Sequence, residues 1–190
     1  MSGKERIMSD AFFETLTSKR KKTGRFDVVE DLVQVDPGYR HLFVYTSIPE
    51  GACVLPMLGD RILLLREYRY PVRSWQYSIP GGLIDPGESP SEAAVRELRE
   101  ETGYDVEELI PLGAIYSSFG SSDEKIHLFM ARCGNKGEAE REPGEKIAMQ
   151  LVTEREFAGM IDDGRYMHSA GIAAWGKYLN RKYYMENNRN

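Results

Sequence analysis

At 190 residues and 21.6 kDa, the chain has the size of one domain, or one domain with an appendage, and can bury a core without disulfide or zinc staples. Its 41% hydrophobic and 29% charged residues exclude disorder throughout, and no run approaches the roughly 18 apolar residues of a membrane span. A formal charge of -5 argues against a nucleic-acid polymer as partner, and 3 His with 2 Cys are too few for a zinc or haem site, so any metal must be held by Asp or Glu oxygens.

Met1 to Asp10 carry no apolar core of the signal-peptide kind. Cys53 and Cys133 stand alone among apolar residues, as reduced thiols of a cytoplasmic protein do. Residues 1–25 form a basic segment. Its run Lys19 to Lys22 reads as a solvated helix end or turn before Thr23-Gly24, with a localisation signal or phosphate patch as the alternative.

Short β-like runs follow at 26–35, 41–46, 52–57 and 61–65, separated by Asp36-Pro37-Gly38, Pro49-Glu50-Gly51 and Gly59-Asp60. The first two make an N-terminal strand extension over 26–50, and the main domain is expected over 51–185. Ser89-Pro90-Ser91-Glu92 is a capping box with Pro at the first helical position, and it opens a helix that ends at Gly103. Strands are expected at 108–116, 125–132 and 148–152, with a solvated, Glu-rich loop over 134–145. Thr153 to Glu156 is a second capping box, for a helix stopping near Gly164. The spacing of Ile172, Trp175 and Leu179 suits a final helix from Ser169 to about Met185, and 186–190 is expected to fray. The fold class is α+β, a mixed α/β sandwich with strands dominating the first half.

The chemistry concentrates between Gly82 and Tyr104. At about 100° per residue, Glu97, Glu100 and Glu101 share roughly a 100° arc of one helix, while Ala94, Val95, Leu98 and Thr102 occupy the adjoining arc and can face a core. Like charges at that spacing weaken a helix by a few tenths of a kcal/mol per pair, and the helix dipole disfavours them towards its C-terminal half. A divalent cation offsets that cost. Pro80-Gly81-Gly82 lets the backbone pass close to the carboxylates, and Pro86-Gly87 turns the chain back to the helix start.

This segment resembles the Nudix box, Gly-x5-Glu-x7-Arg-Glu-(apolar)-x-Glu-Glu-x-Gly-(apolar), and matches it at every specified position. The resemblance implies a Nudix α/β/α sandwich, with Glu97 and Glu101 as principal Mg²⁺ ligands and Mn²⁺ as a substitute. It makes Glu100 a further ligand or a support of the others, and the Gly81 carbonyl a completing ligand. Arg96 would hold the carboxylates by charge-assisted hydrogen bonds, and Glu88 would brace the loop. The implied reaction is hydrolysis of a diphosphate linked to another moiety, usually a nucleoside.

Gly51 to Leu55, Ile62 to Val72, Trp75 and Gly120 to Phe129 are similar to the ADP-ribose pyrophosphatase and nucleoside-diphosphate-sugar branch. By that likeness the substrate is a nucleotide sugar, the N-terminal strands build a homodimer, and Arg40, Arg66 and Arg69 are substrate contacts. Glu142 or Glu145 would be the general base, with Glu145 the better placed. The chain departs from the branch at Ser78, where Glu is usual, and at Phe119, where ADP-ribose-specific enzymes carry Pro. Other nucleoside-diphosphate sugars therefore stay open as substrates. So do a clean-up pyrophosphatase of damaged nucleotides or dinucleoside polyphosphates, and a nucleotide-sensing module without turnover.

Overall fold

A computed structural model describes residues 13–140 and 146–187. They form two compact units, one made of the N-terminal residues through Ile48 with Ser118–Glu124, the other of Pro49–Ser117 with the segment from Lys125 onward.

The smaller unit is a three-stranded antiparallel sheet in the order β1 (Glu14–Lys22), β2 (Asp27–Asp36), β3 (Tyr39–Ser47). Alternation puts Val29 and Val33 inside, at 2% and 6% exposure, and the Tyr45 hydroxyl donates to Asp31 Oδ2 at 3.2 Å on the same face. Asp123 closes the unit by accepting from Ser47 Oγ (2.8 Å) and the Ile48 amide (2.9 Å).

One expectation is corrected here. Lys19 to Lys22 is neither helix end nor turn; it is strand, paired with β2 so that Lys19 faces Glu30 and Lys22 faces Asp27. Opposite charges across a ladder stabilise the pairing. Every residue of β1 is exposed, so the strand shows none of the apolar alternation by which strands are recognised. A Lys-rich edge also discourages pairing with foreign strands.

The larger unit is a seven-stranded mixed sheet. Its main path runs β10 (Ala148–Thr153), β5 (Arg61–Arg69), β4 (Gly51–Leu58), β9 (Lys125–Lys136), β8 (Tyr104–Tyr116), with β6 (Ser74–Ser78) on β5 and β7 (Gly81–Leu83) on β4. β4 is parallel to β9 and antiparallel to β5 and β7. The period of two along β4 and β9 builds two cores. Ala52, Val54, Phe129 and Ala131 face Ala93, Ala94 and Leu98 of α1 (Pro90–Thr102). Cys53, Leu55, Met57, Leu128 and Met130 face α2 (Glu154–Asp162) and α3 (Ser169–Asn187), where Phe157 and Trp175, with Tyr166 from the connection between the helices, supply the bulk. Leu98 is fully buried, worth about 1.5–3 kcal/mol. The architecture is the expected α/β/α sandwich with an antiparallel N-terminal sheet.

Both capping boxes form. Ser89 Oγ accepts from the Glu92 amide, Glu92 accepts from the Ser89 amide at 2.8 Å, and Gly103 closes α1 at φ +79°. Thr153 and Glu156 repeat the arrangement at α2. The structure adds β6 and β7, which are too short to show a period. It also starts β8 at Tyr104, extends β9 to Lys136 and carries α3 to Asn187. Among the described residues no helix is long and apolar enough to cross a membrane.

Candidate active site

The site is built where α1 lies against β7. Capping fixes the start of α1, and Ala93, Ala94 and Leu98 fix its rotation on the sheet, so the carboxylate arc meets the Gly81-Gly82 backbone. The closeness of that approach explains both glycines. A Cβ on Gly82 would collide with the Glu97 carboxylate, and one on Gly81 would stand 2.6 Å from Cys53 Sγ. Glu101 is 7% exposed and accepts a hydrogen bond from the Gly81 amide at 3.1 Å.

Arg96 organises the rest. Its Nε and Nη2 donate to the two oxygens of Glu88, both at 2.9 Å, in a fork-to-fork pair. Nη1 donates to Glu97 Oε1 at 2.7 Å and to Glu100 Oε2 at 3.2 Å, and Nη2 also reaches the Leu83 carbonyl at 3.0 Å. The hydrogen bonds from Arg96, with one from the Asp85 amide, hold the Glu88 carboxyl below its ordinary pKa; the same Glu88 pair, with Glu97, pushes the guanidinium up. Three carboxylates thus face one guanidinium.

The donor set fits a hard divalent cation. All its donors are oxygen, and Glu97 and Glu101 lie along the same short stretch of backbone, at Gly82 and at the Gly81 amide. Among the described residues no three acidic, His or Cys side chains converge on one point. Arg96 draws Glu97 and Glu100 towards Glu88, while the Gly81 amide holds Glu101. Side-chain rotation about these contacts is what a cation would require.

The sequence-derived residues Gly81, Arg96, Glu97, Glu100 and Glu101 therefore come together. The arginines are placed differently. Arg66 lies over the rings of Trp75 and Tyr77, 5.6 and 5.8 Å from their centroids, and Arg69 pairs with Glu67 at 2.9 Å. With two residues between them on β5, their side chains leave opposite faces of the sheet. Arg40 belongs to the smaller unit, where its Nε donates to Gln34. Phe119, in the same unit, is 88% exposed. Ser78 is buried on β6, and Glu142 and Glu145 lie outside the described residues.

Sequence reasoning missed the Leu83 carbonyl as an anchor for Arg96, because a backbone acceptor leaves no signature in residue type. It also missed a cavity of about 680 Å³ along α1, lined by Arg96, Arg99, Glu100 and Glu140 among others. Just before α3, beside Tyr166, burial and then Arg69 push the His168 imidazole down to about 4, so it is neutral at ordinary pH.

The NUDIX domain model matches residues 48–170. An ADP-ribose pyrophosphatase of Bacillus subtilis is 32% identical over 136 residues, which is 70% of this chain and 74% of that protein. A methanol dehydrogenase activator of Bacillus methanolicus is 39% identical over 129 residues, covering 66% of this chain and 70% of its own. The crystal structure of an ADP compounds hydrolase superposes with a TM-score of 0.78 over 94% of this chain and 97% of that one, at 24% identity, a likeness of fold.

Proposed function

The chain belongs to the Nudix family of hydrolases, and from that membership we propose that it splits the pyrophosphate of ADP-ribose or a related nucleoside-diphosphate sugar, with Mg²⁺, into a nucleoside monophosphate and a sugar phosphate. One observation carries this reading: Glu97 and Glu101 meet the Gly81-Gly82 backbone while Arg96 holds Glu97, Glu100 and Glu88 in one network. A relative that acts on ADP-ribose supports the substrate class.

Glu97, Glu101 and the Gly81 carbonyl would hold the cation, with Glu100 beside them. When bound, it neutralises phosphate oxygens and lowers the pKa of a coordinated water. Arg96 orients the carboxylates, and its fork keeps Glu88 ionised. The buried Glu101, fixed by the Gly81 amide, supplies negative charge where solvent screens it least. Glu145 or Glu142, between β9 and β10 in the sequence, is assigned the proton of the attacking water. Arg66, Arg69 and Arg40 remain assigned to the substrate, and the active form to a cytoplasmic homodimer. Exposed Leu42, Phe43 and Val44 on β3 support that assembly.

A turnover screen with Mg²⁺ tests the reading, using ADP-ribose, ADP-glucose, UDP-sugars, GDP-mannose and nucleoside triphosphates. We expect a sugar nucleotide to be the best substrate. Triphosphates turning over far faster than every sugar nucleotide would exclude it.

A further inference from the structure

The cavity along α1 begins where the carboxylate network ends. Arg96 and Glu100 form part of its wall, so a ligand bound there is continuous with a diphosphate held beside Glu97 and Glu101. Its volume of about 680 Å³ lies within the range of small-molecule sites. All of its lining belongs to the larger unit.

The lining selects a kind of ligand. Arg96 spends Nε, Nη1 and Nη2 on Glu88, Glu97, Glu100 and the Leu83 carbonyl, and is not free to receive another group. Arg99, one turn further along α1, forms no ion pair among the described residues and opens into the cavity with its planar set of donors. Opposite charges are scarce there. Glu88, Glu92, Glu100 and Glu140 outnumber the two arginines, so a second phosphate in this space is repelled, whereas hydroxyl groups can donate to the carboxylates and accept from Arg99. Val95 and Leu109 add an apolar surface suited to the C–H face of a ring.

We propose that this cavity is the subsite for the uncharged, polyhydroxylated half of the substrate, with Arg99 as its specificity-determining contact. The inference rests on the hydrolase reading above and adds the place of the sugar. Arg99 lies outside the network that holds the carboxylates, so its loss acts on binding of one half of the substrate and leaves the bond-breaking apparatus intact.

The experiment is calorimetric titration of the full chain with Mg²⁺ and two non-hydrolysable probes, α,β-methylene ADP-ribose and α,β-methylene ADP. They differ in the second sugar and in the extra ionisation that its absence leaves on the terminal phosphate. Arg99→Ala should weaken the first about tenfold, as expected for about one lost hydrogen bond to a charged group, and leave the second within about twofold. Val95→Trp, which fills the cavity from an already exposed position, should do the same. In turnover, both variants should raise KM for the sugar nucleotide with kcat kept. Equal weakening of both probes, or of neither, overturns the assignment. A wild-type chain that binds neither probe overturns the hydrolase reading and this subsite with it.

Discussion

Arg96 grips Glu88 with two nitrogens at equal distance, 2.9 Å each, across eight residues of chain. The pair ties the loop before α1 to the middle of the helix, and the remaining nitrogen holds Glu97 and Glu100. Lysine is a point donor and cannot reproduce a fork. Arg96→Lys should therefore lower kcat by about 10- to 100-fold, the usual cost of losing a group that orients metal ligands. Steady-state kinetics beside a melting curve would check it, and the fold should survive.

Because Arg96 depresses the Glu88 carboxyl, that pair stabilises the native state above the ordinary carboxylate value of 4.5 and ceases to do so as pH falls through the lower folded value. Unfolding of the wild type should steepen on acidification below pH 4.5, and Arg96→Ala should remove that component. Equal acid slopes in the two proteins would contradict the role of the pair.

Glu101→Gln keeps an oxygen for the Gly81 amide and removes the charge. Turnover should fall by about 100-fold or more while the melting temperature changes little, as expected when a buried carboxylate serves a cation and not the fold. Near-normal kcat would take Glu101 out of the metal site.

Tyr166 presents the opposite case. Its hydroxyl is buried without a hydrogen-bond partner among the described residues and presses on Gly171 of α3. Tyr166→Phe deletes an unsatisfied polar group while keeping the ring against Phe157, and should stabilise the protein by up to about 1 kcal/mol. Gly171→Ala adds a methyl where there is no room and should cost about 1–3 kcal/mol. Chemical denaturation of both variants decides the point.

His168 is neutral in the native state down to about pH 4, against 6.5 when unfolded. Between those values the unfolded chain binds the extra proton, so stability falls as pH drops from 6.5 to 4, by about 3 kcal/mol at most. His168→Gln should flatten that segment of the stability profile. A profile unchanged by the substitution would show that His168 is not buried in solution.

Helix α1 was legible in the sequence because its signals are local: a capping box, a glycine stop and a carboxylate arc all follow from spacing along one helix. Glu101 was recognisable for the same reason, and Arg96 through the resemblance to the Nudix box. What stayed hidden depends on contacts between distant segments. β1 lacks an apolar face because it is a charged edge, and β6 and β7 are five and three residues long, too brief for a period to emerge. The cavity joins α1 to Leu109 and Glu140, which no pattern in the sequence links to Arg99.

The alternation along β4 has one more consequence. Even-numbered residues Ala52 and Val54 form the bed of α1, and odd-numbered Cys53, Leu55 and Met57 form the floor beneath α3. Deleting a single residue near the start of this strand would exchange the two sides, setting larger side chains under α1 and lifting it away from Gly81-Gly82. Substitutions confined to one parity, by contrast, can retune one layer while the other keeps its shape. The odd positions of β4 therefore offer a handle on durability that leaves the spacing of α1 alone.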